Sequence, residues 1–173
     1  AALAGERLRA PGRAMALARQ LTTLAQGNVA ASRQARLLAA EIALSAGDVS
    51  QADGLLAADG RSPAAGRPEL LMLARIRTQQ GQLAQAVDML QTWVAGHPRD
   101  AAAWQALAAA YRAQDQTLRA VRADGEVQMS HYDFAGAVDR FKAARGLSAK
   151  GSLLPADYIE ASIIDTRLRQ AES

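Results

Sequence analysis

The sequence contains no cysteine, so it has no disulfide framework, no thiolate metal site and no sulfur nucleophile. Histidine occurs only as His97 and His131, far apart along the chain. Zinc usually takes three or four protein ligands, so these two make a poor site. Aromatic residues are only 4% of the 173. No apolar run reaches the roughly 18 residues that a membrane span requires. Alternating β-branched and aromatic runs are short, which leaves little room for strands. There is no His-Glu-x-x-His, no Walker loop, no Gly-x-Ser-x-Gly and no dinucleotide fingerprint. These absences argue against a transmembrane protein, a disulfide-stapled miniprotein, a zinc ribbon and most metalloenzymes. No catalytic residue, metal or cofactor is expected in this chain.

What remains is apolar and small. Half of the residues are hydrophobic and 21% are charged, enough to bury a core and too ordered a mixture for disorder. The length suits one ordinary domain. The net charge is +3, from 20 basic against 17 acidic residues, and all the basic ones but Lys142 and Lys150 are arginine. So balanced a charge is weak ground for nucleic acid. The N-terminal Arg7, Arg9, Arg13 and Arg19 form a positive patch opposed by Glu6 alone, without the interleaved aromatics of a nucleic-acid face. Arg112, Arg119 and Arg122 form a second cluster, read as solvated helix faces. The chain opens Ala1-Ala2-Leu3, without Met or signal peptide, and reads as a piece of a longer protein.

Alanine-rich stretches with Leu, Ile and Val at steps of three and four predict helix nearly throughout. Gly47 and Gly81 each end a helical pattern and open a short turn, 34 residues apart. Ala18, Ala52, Ala86 and Ala120 keep the same step. Leu56 and Leu90 follow by four, and Pro63 and Pro98 close two units. Trp104-x2-Leu107-Ala108-x2-Tyr111 supplies the large and small residues of a close helix pair, and Ala137-x3-Phe141-x2-Ala144 resembles the second helix of another. Asp124 stands where a Phe belongs in that pattern. Period and motif resemble the tetratricopeptide repeat, in which small residues sit at helix crossings and large ones between hairpins. The resemblance implies an all-α, right-handed α-α superhelix of about four to five hairpins, each covering its neighbour's apolar face.

The expected organisation is a partial repeat over 1–32, repeats over 33–146, and a loop with a capping helix over 147–173. Gly12 to Gln26 reads as a helix with Leu17, Leu21 and Leu24 on one face, broken by Pro11-Gly12 from the segment before it. Residues 59–68 and Gly146 to Pro155 read as loops. Pro155 to Gln170 reads as the cap. Its apolar stripe draws on Tyr158, Ile159, Ile163 and Leu168, with Ser162, Asp165 and Thr166 on the polar side. His97 and His131 are expected in turns, with Asp133 capping the helix that starts near Phe134. Trp93, Trp104, Met72 and Met89 are expected in packing roles. The repeat register places Arg75, Gln79, Gln105, Ala109 and Arg112 on the partner-binding groove. Such a polar, positive lining would suit an extended segment, an acidic one or a C-terminal carboxylate.

A longer likeness runs from about residue 67 to 171. His97-Pro98-Arg99-Asp100, Ala103-Trp104, Ala110-Tyr111, Gln116 to Ala123, Tyr132 to Ala144 and Ile159 to Gln170 resemble the C-terminal region of periplasmic zinc metallopeptidases of the BepA type. That resemblance implies an export route to the periplasm and a preceding protease domain with a His-Glu-x-x-His zinc site. It further implies a role in assembling outer-membrane β-barrel proteins or removing stalled ones. The expected partners are the barrel substrate, its assembly machinery and the protease domain. No residue here matches the zinc motif, so no ligand or catalytic Glu is carried over. The alternatives are a free-standing repeat scaffold and, more remotely, a helical nucleic-acid binder, whose binding would fall steeply with salt.

Overall fold

The computed structural model describes residues 11–57, 66–150 and 155–173. All regular structure among them is helical. The helices are α1 (Pro11–Leu24), α2 (Val29–Ser45), α3 (Val49–Ala57), α4 (Arg67–Gln79), α5 (Leu83–Gly96), α6 (Ala101–Ala113), α7 (Thr117–Ser130), α8 (Phe134–Lys150) and α9 (Pro155–Glu172). They form two compact units, Ala1–Gln80 and Gly81–Ser173.

In the first unit, α2 packs against α1, α3 and α4. Asn28 starts α2 by accepting the Ala31 N–H at 3.0 Å, and Asp48 starts α3 by accepting that of Gln51 at 2.9 Å. Each side chain satisfies a donor that the first helical turn leaves open. Between α2 and α3 the backbone turns at Gly47, whose φ of +82° is a left-handed value that favours glycine. The Asp48 N–H then reaches back to the Ala43 carbonyl at 2.9 Å, closing the helix end. The core is Ala40, Ala43, Leu44, Ala52, Met72 and Ile76, with Met15, Leu37, Val49, Leu55 and Leu56 against it. Alanine at the crossings brings helix axes close, and the two longer chains of α4 fill what is left.

The second unit is built around larger residues. α6 packs on α5 and α7, α7 on α8, and α8 on α9. Trp104, Leu107, Ala108 and Tyr111 form the buried stripe of α6, at steps of three and four. α7 answers with Ala120 and Ala123. A Cβ at Gly125 would lie 2.5 Å from the Phe141 ring, so a hydrogen there is what admits Phe141 against α7. Ala137, Phe141, Ala144, Ile164, Leu168 and Ala171 then close the core between α8 and α9.

The turn chemistry repeats with the period. Gly47, Gly81 and Asp115 all have left-handed φ, at +82°, +74° and +59°. Asp is among the few L residues that visit this region without much strain, which hides the third member from a search for glycine.

Several expectations are corrected. The helix α8 runs through Gly146 to Lys150 where a loop was expected. Ser148 is the reason: it extends the buried row of Phe141 and Ala144, and its hydroxyl bonds to the Arg145 carbonyl at 2.8 Å. A mid-helix Gly costs only about 1 kcal/mol, which that packing offsets. The loop expected over 59–68 falls largely outside the described residues, and its last two positions already open α4, with Pro68 in the first turn. Leu17, Leu21 and Leu24 do share a face of α1, but it is an exposed one, and Met15 and Ala18 make the contacts instead. On α9 the buried row is Glu160, Ile164, Leu168 and Ala171; Tyr158, Ile159 and Ile163 face outward. The register is turned because Glu160 goes inside to meet an arginine. Arg7 and Arg9 lie outside the described residues.

Candidate partner-binding surface

Gln105, Ala109 and Arg112 are exposed and lie in one row along α6, at steps of four and three. Arg75 and Gln79 are exposed and form a corresponding pair on α4, in the first unit. The short Ala109 leaves room between the two longer side chains of its row. Arg75 donates to Glu41 of α2 at 2.6 Å, and Arg112 donates to Asp124 of α7. The positive lining read from the sequence is thus balanced by carboxylates of the same units. Exposed pairs of this kind are worth only about 0–1 kcal/mol, so an incoming carboxylate can compete for either arginine. Asp124, at the position where the repeat pattern has Phe, is the residue that sets the charge of the α6 row.

Two further, partly buried pairs brace the first unit. Arg33 grips Glu69 with two donors, and Arg77 and Gln80 both donate to Asp53, at 2.8 and 3.0 Å. Hydrogen bonding from Arg33 holds the Glu69 carboxyl below its ordinary range, and hydrogen bonding from Arg77 does the same for Asp53.

The second unit carries a charge cluster that sequence reasoning missed. Glu126 and Glu160 are only 4% and 6% exposed. Arg167 donates to Glu126 through two nitrogens, at 2.7 and 2.5 Å. Arg122 donates to Glu160, lies 3.8 Å from Glu126, and has its guanidinium carbon 5.4 Å from the centre of the Trp104 ring. The four side chains are two cations and two anions, so the cluster is neutral and its members satisfy one another. Arg122 is therefore no solvated side chain; nor is Arg119, which lies 6.0 Å above the Tyr111 ring. The available signal was phase. Glu126 follows Ala120 and Ala123 at steps of three, and that stripe is buried.

The two histidines sit at helix ends. His97 stacks on Trp93 at 3.9 Å between ring centres, and His131 ends α7. Both tryptophans use their N–H groups locally, Trp93 on Asp100 and Trp104 on the Pro98 carbonyl, each at 2.9 Å. Asp133 accepts the Gly136 N–H at 2.9 Å and so caps α8. Among the described residues no three His, Asp or Glu side chains gather as metal ligands. None of the described helices is long and apolar enough to cross a membrane.

Residues 67–110 match the tetratricopeptide repeat family. The match takes in α4, α5 and most of α6, and it includes Arg75, Gln79, Gln105 and Ala109. No curated protein matches the chain. Repeats of this kind are protein–protein interaction modules and are generally non-catalytic.

Proposed function

We propose that this chain is a non-catalytic recruiting module in which α6 of the second unit and, separately, α4 of the first each present an exposed polar row to an extended segment of a partner protein. The observation that carries this reading is the coincidence of the repeat match with an exposed polar row on each of these helices, each within its own unit. Gln105 and Gln79 offer amides to a peptide backbone. Arg112 and Arg75 hold exchangeable carboxylates. Ala109 keeps the middle of the longer row low enough for a main chain to approach.

The likeness of residues 67–171 to periplasmic metallopeptidases supports a finer version. In it the chain is the C-terminal arm of a secreted zinc protease, and it presents outer-membrane β-barrel proteins, or their assembly machinery, to the catalytic part. Any zinc would then belong to that part, since no residue here fits its motif. A photoreactive residue at Ala109, introduced into the protein in its native host, tests both levels. Crosslinks to a β-barrel protein or its assembly machinery are expected, and they should weaken in Gln105→Ala/Arg112→Ala. Crosslinks to soluble partners alone would leave a scaffold and remove the protease link. No crosslink at Ala109 that responds to its neighbours would remove the binding row itself.

A further inference from the structure

Two apolar rows compete on α9. The inner row is Glu160, Ile164, Leu168 and Ala171, whose apolar members close the core against α8. One residue earlier in each turn stand Ile159, Ile163, Arg167 and Gln170. Ile159 and Ile163 remain exposed, with Tyr158 exposed beside them. One residue is about 100° of helix, so a turn of that size would exchange the two rows. Each row holds two large aliphatic side chains, so apolar burial alone separates them little. They differ in their charged member, a carboxylate in the inner row and a guanidinium in the outer.

Those two charges are the α9 half of the buried cluster. Glu160 accepts from Arg122, and Arg167 donates twice to Glu126, at 2.7 and 2.5 Å. Both partners belong to α7, so Glu160 and Arg167 share the flank of α9 that meets it. A turn by one residue would take both away from α7 at once. It would leave Arg122 and Glu126, with side chains only 12% and 5% exposed, holding the 3.8 Å contact between them. It would also carry Arg167 into the place of Leu168, in the apolar core. Stripping buried ions of their partners is strongly unfavourable, whereas exchanging one aliphatic row for another of similar volume costs little.

We infer that the cluster of Arg122, Glu126, Glu160 and Arg167 is a register selector. It decides which of two competing apolar rows α9 turns inward, and so keeps Tyr158, Ile159 and Ile163 on the outside. With the four charges neutralised, α9 takes the second register, with Ile159 and Ile163 in the core. Setting register is the best-attested use of buried charge, which is a poor source of net stability. The inference uses none of the residues of the α4 and α6 rows and stands apart from the proposed function.

The chain has no cysteine, so single introduced cysteines report the two rows. Ile159→Cys marks the outer row at a site 68% exposed, and Leu168→Cys the inner at one 3% exposed. With the native charges, iodoacetamide should label the outer site at least about tenfold faster, since the inner one reacts only on opening. In Arg122→Met/Glu126→Gln/Glu160→Gln/Arg167→Met the order should reverse, with helical circular dichroism retained. An unchanged order overturns the inference, because packing alone would then choose the row. Fast labelling at both sites also overturns it, since the cluster would only clamp α9. Should the neutral chain fail to fold, Arg122→Glu/Glu126→Arg/Glu160→Arg/Arg167→Glu decides. There the pairs are rebuilt with opposite signs and the native order is expected; its loss overturns the selector.

Discussion

The two units are made from similar helices, and each carries ion pairs near its surface, but only the second also buries a charge cluster. In the first, Arg75–Glu41 lies toward solvent and Arg33–Glu69 and Arg77–Asp53 are partly exposed, around a core of alanine, leucine, methionine and isoleucine. In the second, Glu126 and Glu160 are buried with Arg122 and Arg167, and Tyr111 and Phe141 fill the interior. A removed surface pair loses little, since water takes over both partners. A removed member of a buried set leaves an uncompensated charge. Specificity of packing in the second unit therefore depends on a few residues that cannot be exchanged one at a time.

The comparison is broken most sharply at the charges. Glu126→Ala should destabilise the second unit by about 3–5 kcal/mol, against about 0–1 kcal/mol for Glu41→Ala in the first. Both tryptophans lie in the second unit, so their fluorescence in a urea titration follows that unit, while far-ultraviolet circular dichroism follows both. Equal effects of the two substitutions would erase the distinction. Phe141→Ala should cost about 3–5 kcal/mol by the same fluorescence readout, as a fully buried aromatic leaves a cavity. Gly125→Ala should cost about 1–3 kcal/mol through overpacking, and Phe141→Leu in the same chain should recover part of it. A neutral Gly125→Ala would mean that the ring simply swings away.

A smaller effect concerns acid. Asp53 and Glu69 have carboxyl pKa values lowered in the folded chain by hydrogen bonds from Arg77 and Arg33. Groups lowered on folding stabilise above their unfolded values, about pH 4, and that contribution disappears as pH drops through the folded values. Thermal melts by circular dichroism should lose stability below about pH 4, and Arg33→Ala/Arg77→Ala should flatten that dependence. The same curve with and without the two arginines would show that these pairs do not couple to folding.

Most of the helical architecture could be read from the sequence, because the 3.6-residue rhythm of small and large residues is a local property. The Trp104-to-Tyr111 motif and the Gly47 and Gly81 turns set the repeat without help from distant contacts. What escaped depends on partners far away in the chain. Asp115 carries no sequence mark of its left-handed turn, because glycine is the usual residue there. Arg122 looked solvated because nothing nearby in sequence announces Glu160. Hydrophobicity alone makes Tyr158, Ile159 and Ile163 the apolar stripe of α9, although its inward register carries the Glu160 carboxylate. Arg75, Gln79, Gln105, Ala109 and Arg112 are exposed, as the repeat register implies, but the neutralising Glu41 and Asp124 lie on other helices.

The union of Arg122 with Glu160 and of Glu126 with Arg167 crosses 38 and 41 residues. It makes α7 and α9 a matched pair for anyone who recombines repeat proteins. A chimera that inherits α7 from this chain and its last described helix from another would keep only the 3.8 Å pair of Arg122 with Glu126 and lose the hydrogen-bonded partner of each. The exchangeable cassette is therefore Thr117 to the end of α9, and shuffling libraries cut inside it should return mostly misfolded products.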